Sequence, residues 1–323
     1  MHGKVAIHGH GIAAYCCARL LSQDGFEVAC LGTPKSAGPT LLINQSTQAL
    51  LNDVFGAEQN LFSDLPVIHK RIVLWGNETE PKILPHFGVV VNETALLERL
   101  RPSYTSFSEQ ADWFVHSTLN AAAGTEQHFG TRTANAAPVQ LKTADNDACW
   151  VESLESGWLF LLPNGAHEGS LLAVGGPVRA LLDESRLVAQ QIEDVGGPET
   201  EFTAHPRILD PLCGPGWLAC GSGAMSFDPI CGEGSGNAVR EAILASAVIR
   251  LPGDGLGHYT SRLLAGFLRH LEICTHFYVS ARRSDWWDSE IAALERGIEW
   301  TRHRLSSLPQ SNYRLVDFSL VPC

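Results

Sequence analysis

Apolar residues fall along this chain in short blocks whose period changes repeatedly. Lys4 to Ile7 reads as a buried strand, Ile12 to Gln23 as an amphipathic helix, and Glu27 to Leu31 as a second strand, giving a βαβ opening. Thr47 to Phe55 has helical spacing, Ile68 to Trp75 and Ile83 to Val91 have strand character, and Thr94 to Leu100 returns to helix. Trp113 to His116 is a further strand, placed to rejoin the first sheet.

Cys149 to Pro163 and Gly169 to Gly175 are strand-like, with Asn164-Gly165 between them as turn material, which predicts a hairpin. A helix is expected from Val178 to Glu193, a loop at Gly196 to Pro198, and a buried strand at Trp217 to Cys220. Asn237 to Ile249 is a helix rich in small residues, and from His258 onward the chain is expected to be mainly helical. No internal repeat or low-complexity tract interrupts this pattern.

Composition narrows the class. With 323 residues, 45% of them apolar, the chain can bury a sizeable core. The 35 acidic residues outnumber the 23 basic ones and leave a formal charge of −12, which argues against nucleic acid or a membrane surface as partner. No apolar run approaches the roughly 20 residues of a membrane-spanning helix, and no signal-peptide pattern precedes Lys4, so a cytoplasmic location is expected. Nine scattered cysteines, without a CxxC or a metal-ligand spacing, are expected to be reduced core residues.

Two motifs carry chemistry. Gly9-His10-Gly11-Ile12-Ala13-Ala14 fits G-x-G-x-x-G/A between a strand and a helix. Gly9 permits the tight turn, Gly11 removes the side chain that would block a pyrophosphate, and Ala14 lets the helix lie on the sheet. The plainer alternative is a glycine turn in an ordinary core βα unit. The second strand ends in Gly32-Thr33 where an acid would bind ribose, so Thr33 offers a neutral hydrogen bond instead.

The second motif runs from Gly216 through Gly221-Ser222-Gly223, then Phe227-Asp228-Pro229, then Gly232-Glu233-Gly234 into a helix. Proline stiffens the turn, two glycines let backbone approach a flat ring, and the helix dipole favours negative charge on it. The segment from Pro206 to Ile249 resembles the second flavin motif of the p-hydroxybenzoate hydroxylase superfamily, in its branch of tryptophan halogenases and related monooxygenases. Ala111 to Thr118 is similar to another strand of that family, Gly157 to Pro163 to its G-W-x-W-x-I-P stretch, and Phe277 to Asp288 to its aromatic C-terminal helix.

The resemblance implies an α/β fold: a glutathione-reductase-like FAD-binding Rossmann domain (1–65, 105–139 and 205–250) with an inserted small mixed-sheet substrate lobe (66–104 and 140–204). A helical C-terminal region, 251–323, completes it. It implies FAD held by Gly9, Gly11, Ala14, Thr33, Gly221, Ser222, Asp228, Pro229, Gly232 and Gly234. Three positions depart from the family: Gly32 replaces the ribose acid, Leu119 follows Thr118 where a glycine is expected, and Ser222 replaces the aspartate after Gly221. Loosely held flavin is therefore expected.

By the same resemblance, reduced FAD reacts with O₂ to give a C4a-hydroperoxide that hydroxylates an electron-rich aromatic ring. The electrons come from NAD(P)H or from reduced flavin supplied by a separate reductase. A halogenase would need a tunnel lysine, and Lys70 and Lys82 are the candidates, neither in a recognisable motif. Oxygen insertion is the favoured chemistry. Glu233 and His86 are the candidate catalytic residues, with His116 another candidate for proton transfer; each also has a structural reading, as a helix-terminal carboxylate or core histidines. The short substrate lobe resembles that of flavoproteins that hydroxylate tryptophan in a peptide or partner protein during tryptophan-derived quinone cofactor biosynthesis. Trp158, Phe160, Trp286 and Trp287 would form an aromatic contact surface, or simply core. A flavin dehydrogenase and a noncatalytic partner-binding protein are the competing readings.

Overall fold

The protein is represented by a computed structural model, which describes residues 3–33, 38–101, 110–119, 124–144, 147–251, 255–309 and 313–323. The domain boundary expected at 104–105 lies outside the described residues.

The chain opens as β1 (Lys4–His8), α1 (Ile12–Gln23) and β2 (Glu27–Leu31), within one residue of the pattern-based expectation. β1 and β2 pair in parallel with Ile7 opposite Cys30, and α1 packs against them with nine of its twelve residues buried. β3 (Thr40–Asn44) and α2 (Gln45–Phe55) follow; the Asn44 side chain caps the helix by accepting from the Thr47 N–H at 2.9 Å. β4 (Val67–Leu74), β5 (Lys82–Asn92) and α3 (Glu93–Leu100) come next, and Asn92 caps α3 in the same way.

β6 (Trp113–His116) returns to the first sheet, placing Val115 opposite Ile7 in parallel register. The chain then forms β7 (Thr125–His128), β8 (Thr133–Leu141), β9 (Ala148–Ser153), β10 (Trp158–Gly165) and β11 (Glu168–Val174). β10 and β11 make the expected hairpin, though the turn residue with positive φ is His167 rather than Gly165. After α4 (Val178–Glu184) come β12 (Ile192–Val195), β13 (Thr200–Thr203), β14 (Arg207–Asp210), β15 (Cys213–Gly214), β16 (Trp217–Ala219) and β17 (Met225–Ser226).

The helix expected from Val178 to Glu193 is only half as long as predicted. Buried Glu152 ends it: its carboxylate accepts from the Ser185 hydroxyl and from the N–H groups of Arg186, Leu187 and Val188 at 2.5–3.0 Å. Those amides are thereby turned away from a helical ladder, and the chain passes into β12 instead.

Three helices close the chain: α5 (Gly234–Arg250), α6 (Leu256–Val279) and α7 (Asp285–Ser306). A hairpin of β18 (Tyr313–Val316) and β19 (Ser319–Pro322) follows, which the helical expectation for the C-terminal region did not include.

The strands make two main sheets. One has the order β15-β16-β6-β1-β2, parallel across β16, β6, β1 and β2. The other has nine strands in the order β12-β8-β11-β10-β9-β4-β5-β3, with β13 also on β8; it is antiparallel except where β4 meets β9. This is the expected Rossmann domain with an inserted mixed-sheet lobe. The lobe draws β3 from the 1–65 segment and much of β8 from the 105–139 segment. Trp287, fully buried, donates its indole N–H to the Leu154 carbonyl at 2.9 Å and so pins α7 to the lobe. Trp158 is buried too, so these two tryptophans belong to the core and not to a contact surface.

No helix among the described residues is long and apolar enough to cross a membrane.

Candidate active site

Gly9 and Gly11 lie where β1 of the parallel sheet gives way to α1, Gly221 follows β16 of the same sheet, and Gly232 and Gly234 lie between β17 and the body of α5. Gly9, at φ 133°, sits against β6: a Cβ there would come within 2.2 Å of Ser117 Oγ. Gly221, at φ 57°, is packed just as tightly, a Cβ there lying 2.7 Å from the Cβ of Ala13. Ser222 donates its hydroxyl to the Ser117 carbonyl at 3.1 Å, and the Ser117 hydroxyl donates to the His8 carbonyl at 3.0 Å. The two motifs are thus stitched together across β1 and β6, far apart in sequence and adjacent in space.

Gly11, Gly232 and Gly234 behave differently. A Cβ on any of the three would meet no protein atom within 4 Å. Gly11 is the N-cap of α1 and Glu233 the N-cap of α5, and neither helix has a side-chain cap. Two helix N-termini therefore present open, side-chain-free backbone with unpaired N–H groups, the arrangement that suits phosphate and other anionic groups. Ala14 of α1 is fully buried.

At the end of β2, exposed Thr33 follows Gly32, whose carbonyl meets His10 Nε2 at 2.8 Å. His10 thus stands against the end of β2, a contact the sequence did not suggest.

The Asp228–Gly234 turn is held from below. Asp228 is 1% exposed; it accepts from Arg132 Nε and from the Tyr278 hydroxyl, both at 2.7 Å, and caps the turn by accepting from the Ile230 N–H at 2.9 Å. Its carboxylate is consumed by these bonds and shapes the turn; Pro229 follows at its first position. Arg132 also pairs with buried Glu290 of α7 and lies 4.9 Å over the Tyr278 ring. Burial opposes the charge on Arg132, but Tyr278, Asp228 and Glu290 together outweigh it, and its pKa is raised. Nothing in the local sequence around Arg132 signals this; its partners lie 96 and 158 residues away.

Glu241, two turns into α5, accepts from the Gly221 N–H at 2.7 Å. Burial raises its pKa to about 8, and the Gly221 bond only partly offsets that. Its other oxygen has no partner among the described residues.

The candidate acid–base residues separate. Glu233 is exposed between Gly232 and Gly234, on the open side of the turn. His86 lies on β5 of the nine-stranded sheet with Nε2 3.5 Å from Arg71 Nη2; burial, then Arg71, lower its pKa and favour the neutral ring. His116 is stacked on His8 at 5.0 Å and meets Trp217 edge-on at 6.0 Å, and burial, then His8, lower its pKa. Lys70 pairs with Asp147 at 2.8 Å and Lys82 with Glu78 at 2.6 Å.

No known family profile and no curated protein matches the sequence. Many solved structures share the fold. The flavin-dependent halogenase CmlS superposes with a TM-score of 0.75 at 17% identity, over 98% of this chain and 74% of its own. The peptidyl tryptophan dihydroxylase QhpG, essential for tryptophylquinone cofactor biogenesis, gives 0.74 at 18% identity over 100% and 86%. The 2,6-dihydroxypyridine-3-hydroxylase of Arthrobacter nicotinovorans gives 0.68 at 14% identity over 86% and 92%. The chain therefore has the fold of flavin-dependent halogenases and hydroxylases.

Proposed function

We propose that the protein is an FAD-dependent monooxygenase that hydroxylates an electron-rich aromatic ring, a tryptophan in a peptide or partner protein being the favoured substrate. The observation that carries this is the pair of uncapped helix N-termini fronted by Gly11, Gly232 and Gly234, each with open space where a Cβ would stand; the φ of Gly232 favours glycine, but nothing in the packing requires it at Gly11 or Gly234. Such open backbone at two converging motifs fits a dinucleotide whose flat ring lies against one of them.

In this reading Gly9 and Gly11 bind the pyrophosphate, with Thr33 and His10 at the ribose end. Gly221 and Ser222 border the linking chain, and Gly232 and Gly234 face the ring. Bound FAD, once reduced by NAD(P)H or exchanged for reduced flavin from a reductase, supplies the reaction of O₂ with an aromatic substrate. Asp228 and Pro229 hold the turn rigid, Arg132 and Tyr278 hold Asp228, and the α5 terminus favours negative charge beside Gly234. Glu233, exposed on that turn, orients the substrate or moves its proton. The ion pairs of Lys70 and Lys82 favour oxygen insertion over halogenation. The likeness to a peptidyl tryptophan dihydroxylase over the whole chain favours a peptide substrate.

The test is to load the protein with FAD, remove the excess, reduce it anaerobically, and admit ¹⁸O₂ with a tryptophan-containing peptide. The expected result is a flavin spectrum and a peptide heavier by one labelled oxygen atom. A protein that retains flavin but yields only unmodified peptide overturns the substrate; one that retains no flavin at any concentration overturns the enzyme.

A further inference from the structure

Beneath the Asp228–Gly234 turn lies a group of reactive side chains that the proposed chemistry does not use. Cys231, the last residue of the turn before Gly232, has its Sγ 3.5 Å from Sγ of Cys274 on α6. His270, one helical turn before Cys274, places Nε2 3.2 Å from the same sulfur. Cys274 is fully buried, whereas Cys231 is partly open. The three ligand atoms lie within 4.8 Å of one another.

Two chemistries suit such a triad, a soft metal ion or a dithiol, and one hydrogen bond separates them. The Asp228 N–H donates to His270 Nε2 at 2.9 Å. That bond occupies the lone pair a metal would need, and Asp228 is itself fixed by Arg132 and Tyr278. The sulfurs are under no such constraint. A disulfide needs them about 1.5 Å closer, near 2.05 Å. The anchoring bonds of the turn are made by Asp228 and the Ile230 N–H, whereas Cys231 is followed by Gly232, at φ 63° with no atom within 4 Å of a Cβ, so the Cys231 end of the turn has room to move while its start stays fixed.

We propose that Cys231 and Cys274 are a peroxide-reactive dithiol, oxidised by hydrogen peroxide to a disulfide that ties the Asp228–Gly234 turn to α6. The Cys231 thiolate attacks one oxygen of hydrogen peroxide and breaks the O–O bond, so that Cys231 becomes a sulfenic acid and the departing hydroxide is protonated to water. The Cys274 sulfur then attacks the Cys231 sulfur, the S–O bond breaks, and the hydroxyl leaves as water with the Cys274 proton. Two thiols lose two electrons and one peroxide gains them. The order follows from exposure and acidity. The hydrogen bond from Cys274 is the largest cause that brings the Cys231 pKa down, to about 6, with His270 adding and burial opposing; burial raises that of Cys274. The site does not depend on flavin, although oxygen chemistry at the turn above it would make peroxide nearby.

The experiment uses the full chain, reduced and freed of reductant, then exposed to one equivalent of hydrogen peroxide. Remaining thiols are blocked and the linkages mapped by mass spectrometry. The expected result is a Cys231–Cys274 crosslink, reversed by a thiol reductant, forming at least about tenfold faster than oxidation of exposed Cys323. Cys231→Ser should abolish it, and Cys274→Ala should leave a sulfenic acid on Cys231 that dimedone traps. Oxidation of Cys231 at the rate of Cys323 without a crosslink would overturn the proposal. So would one equivalent of zinc bound to the purified protein, protecting both thiols and lost in Cys231→Ser. The wild-type map decides the question even if a variant folds poorly.

Discussion

Gly9 and Gly11, two residues apart, have opposite surroundings. Gly9 is fixed by the fold, since its φ of 133° and the Ser117 hydroxyl leave no place for a Cβ. Gly11 has an ordinary φ of −107° and nothing within 4 Å of a Cβ. Gly11→Val should therefore fold with little loss of thermal stability and yet bind FAD at least about tenfold more weakly, since its side chain stands where the pyrophosphate would lie. Gly9→Val should lower the melting temperature whether or not flavin is present. Calorimetry and flavin titration on the two variants check the pair. Equal stability loss in both would mean that Gly11 is a packing residue and that the anion-binding reading of α1 is wrong.

Among the elements, α5 shows how one helix serves the site and still carries a cost. It begins at open Gly234, just after open Gly232, and Glu241 further along holds the Gly221 N–H from inside the core. Because burial raises the Glu241 pKa from 4.5 to about 8, the folded protein keeps that proton over a range in which the unfolded chain has lost it. The contribution of Glu241 to stability therefore falls as pH rises from about 4.5 to about 8 and levels off above that. At about 1.4 kcal/mol per pKa unit the fall is on the order of a few kcal/mol. Glu241→Gln keeps an oxygen to accept from Gly221 and removes the titration. Denaturant unfolding across pH 5 to 9 should then lose much of its slope in the variant, by a few kcal/mol at the alkaline end; an unchanged slope would assign it to other groups.

Elements were legible in the sequence to different degrees. β2 and α1 were read to the residue because their patterns are local: a short apolar run and a 3.6-residue period. β3, β7, β8, β12, β13 and β14 were not, since most are short or lie at edges of their sheets, where apolar content is low and partners are remote. The overlong helix after Val178 failed for a related reason. Its stop signal is Glu152, on a strand some thirty residues earlier, and no rule of local propensity reads that.

For the whole molecule, the candidate site exists only where the parallel sheet, the turn after β17 and α7 come together. Arg132 beside β8, Asp228 on the turn, Tyr278 on α6 and Glu290 on α7 form one buried network, so the start of the Asp228–Gly234 turn is held by residues from three distant segments. A ligand that binds this assembled site and not the unfolded chain must stabilise the whole fold. FAD at about one hundred times its dissociation constant should add about 2.7 kcal/mol, seen as a rise in melting temperature of the wild type and cut to about half or less in Gly11→Val at the same concentration. A rise of equal size in both would place the flavin elsewhere.

What the sequence determined by itself is the βαβ opening, the two glycine motifs and the class of fold they imply. Each rests on residues close together in the chain, whose spacing alone states the backbone geometry they need. Only the tertiary structure decided which glycines serve packing and which face open space, that Asp228 is spent on Arg132 and Tyr278, and that Cys231, His270 and Cys274 meet. These depend on contacts between segments tens to hundreds of residues apart. A charge or thiol looks the same in sequence whether its neighbour in space is water, an arginine or a second sulfur, and burial together with that neighbour sets its chemistry.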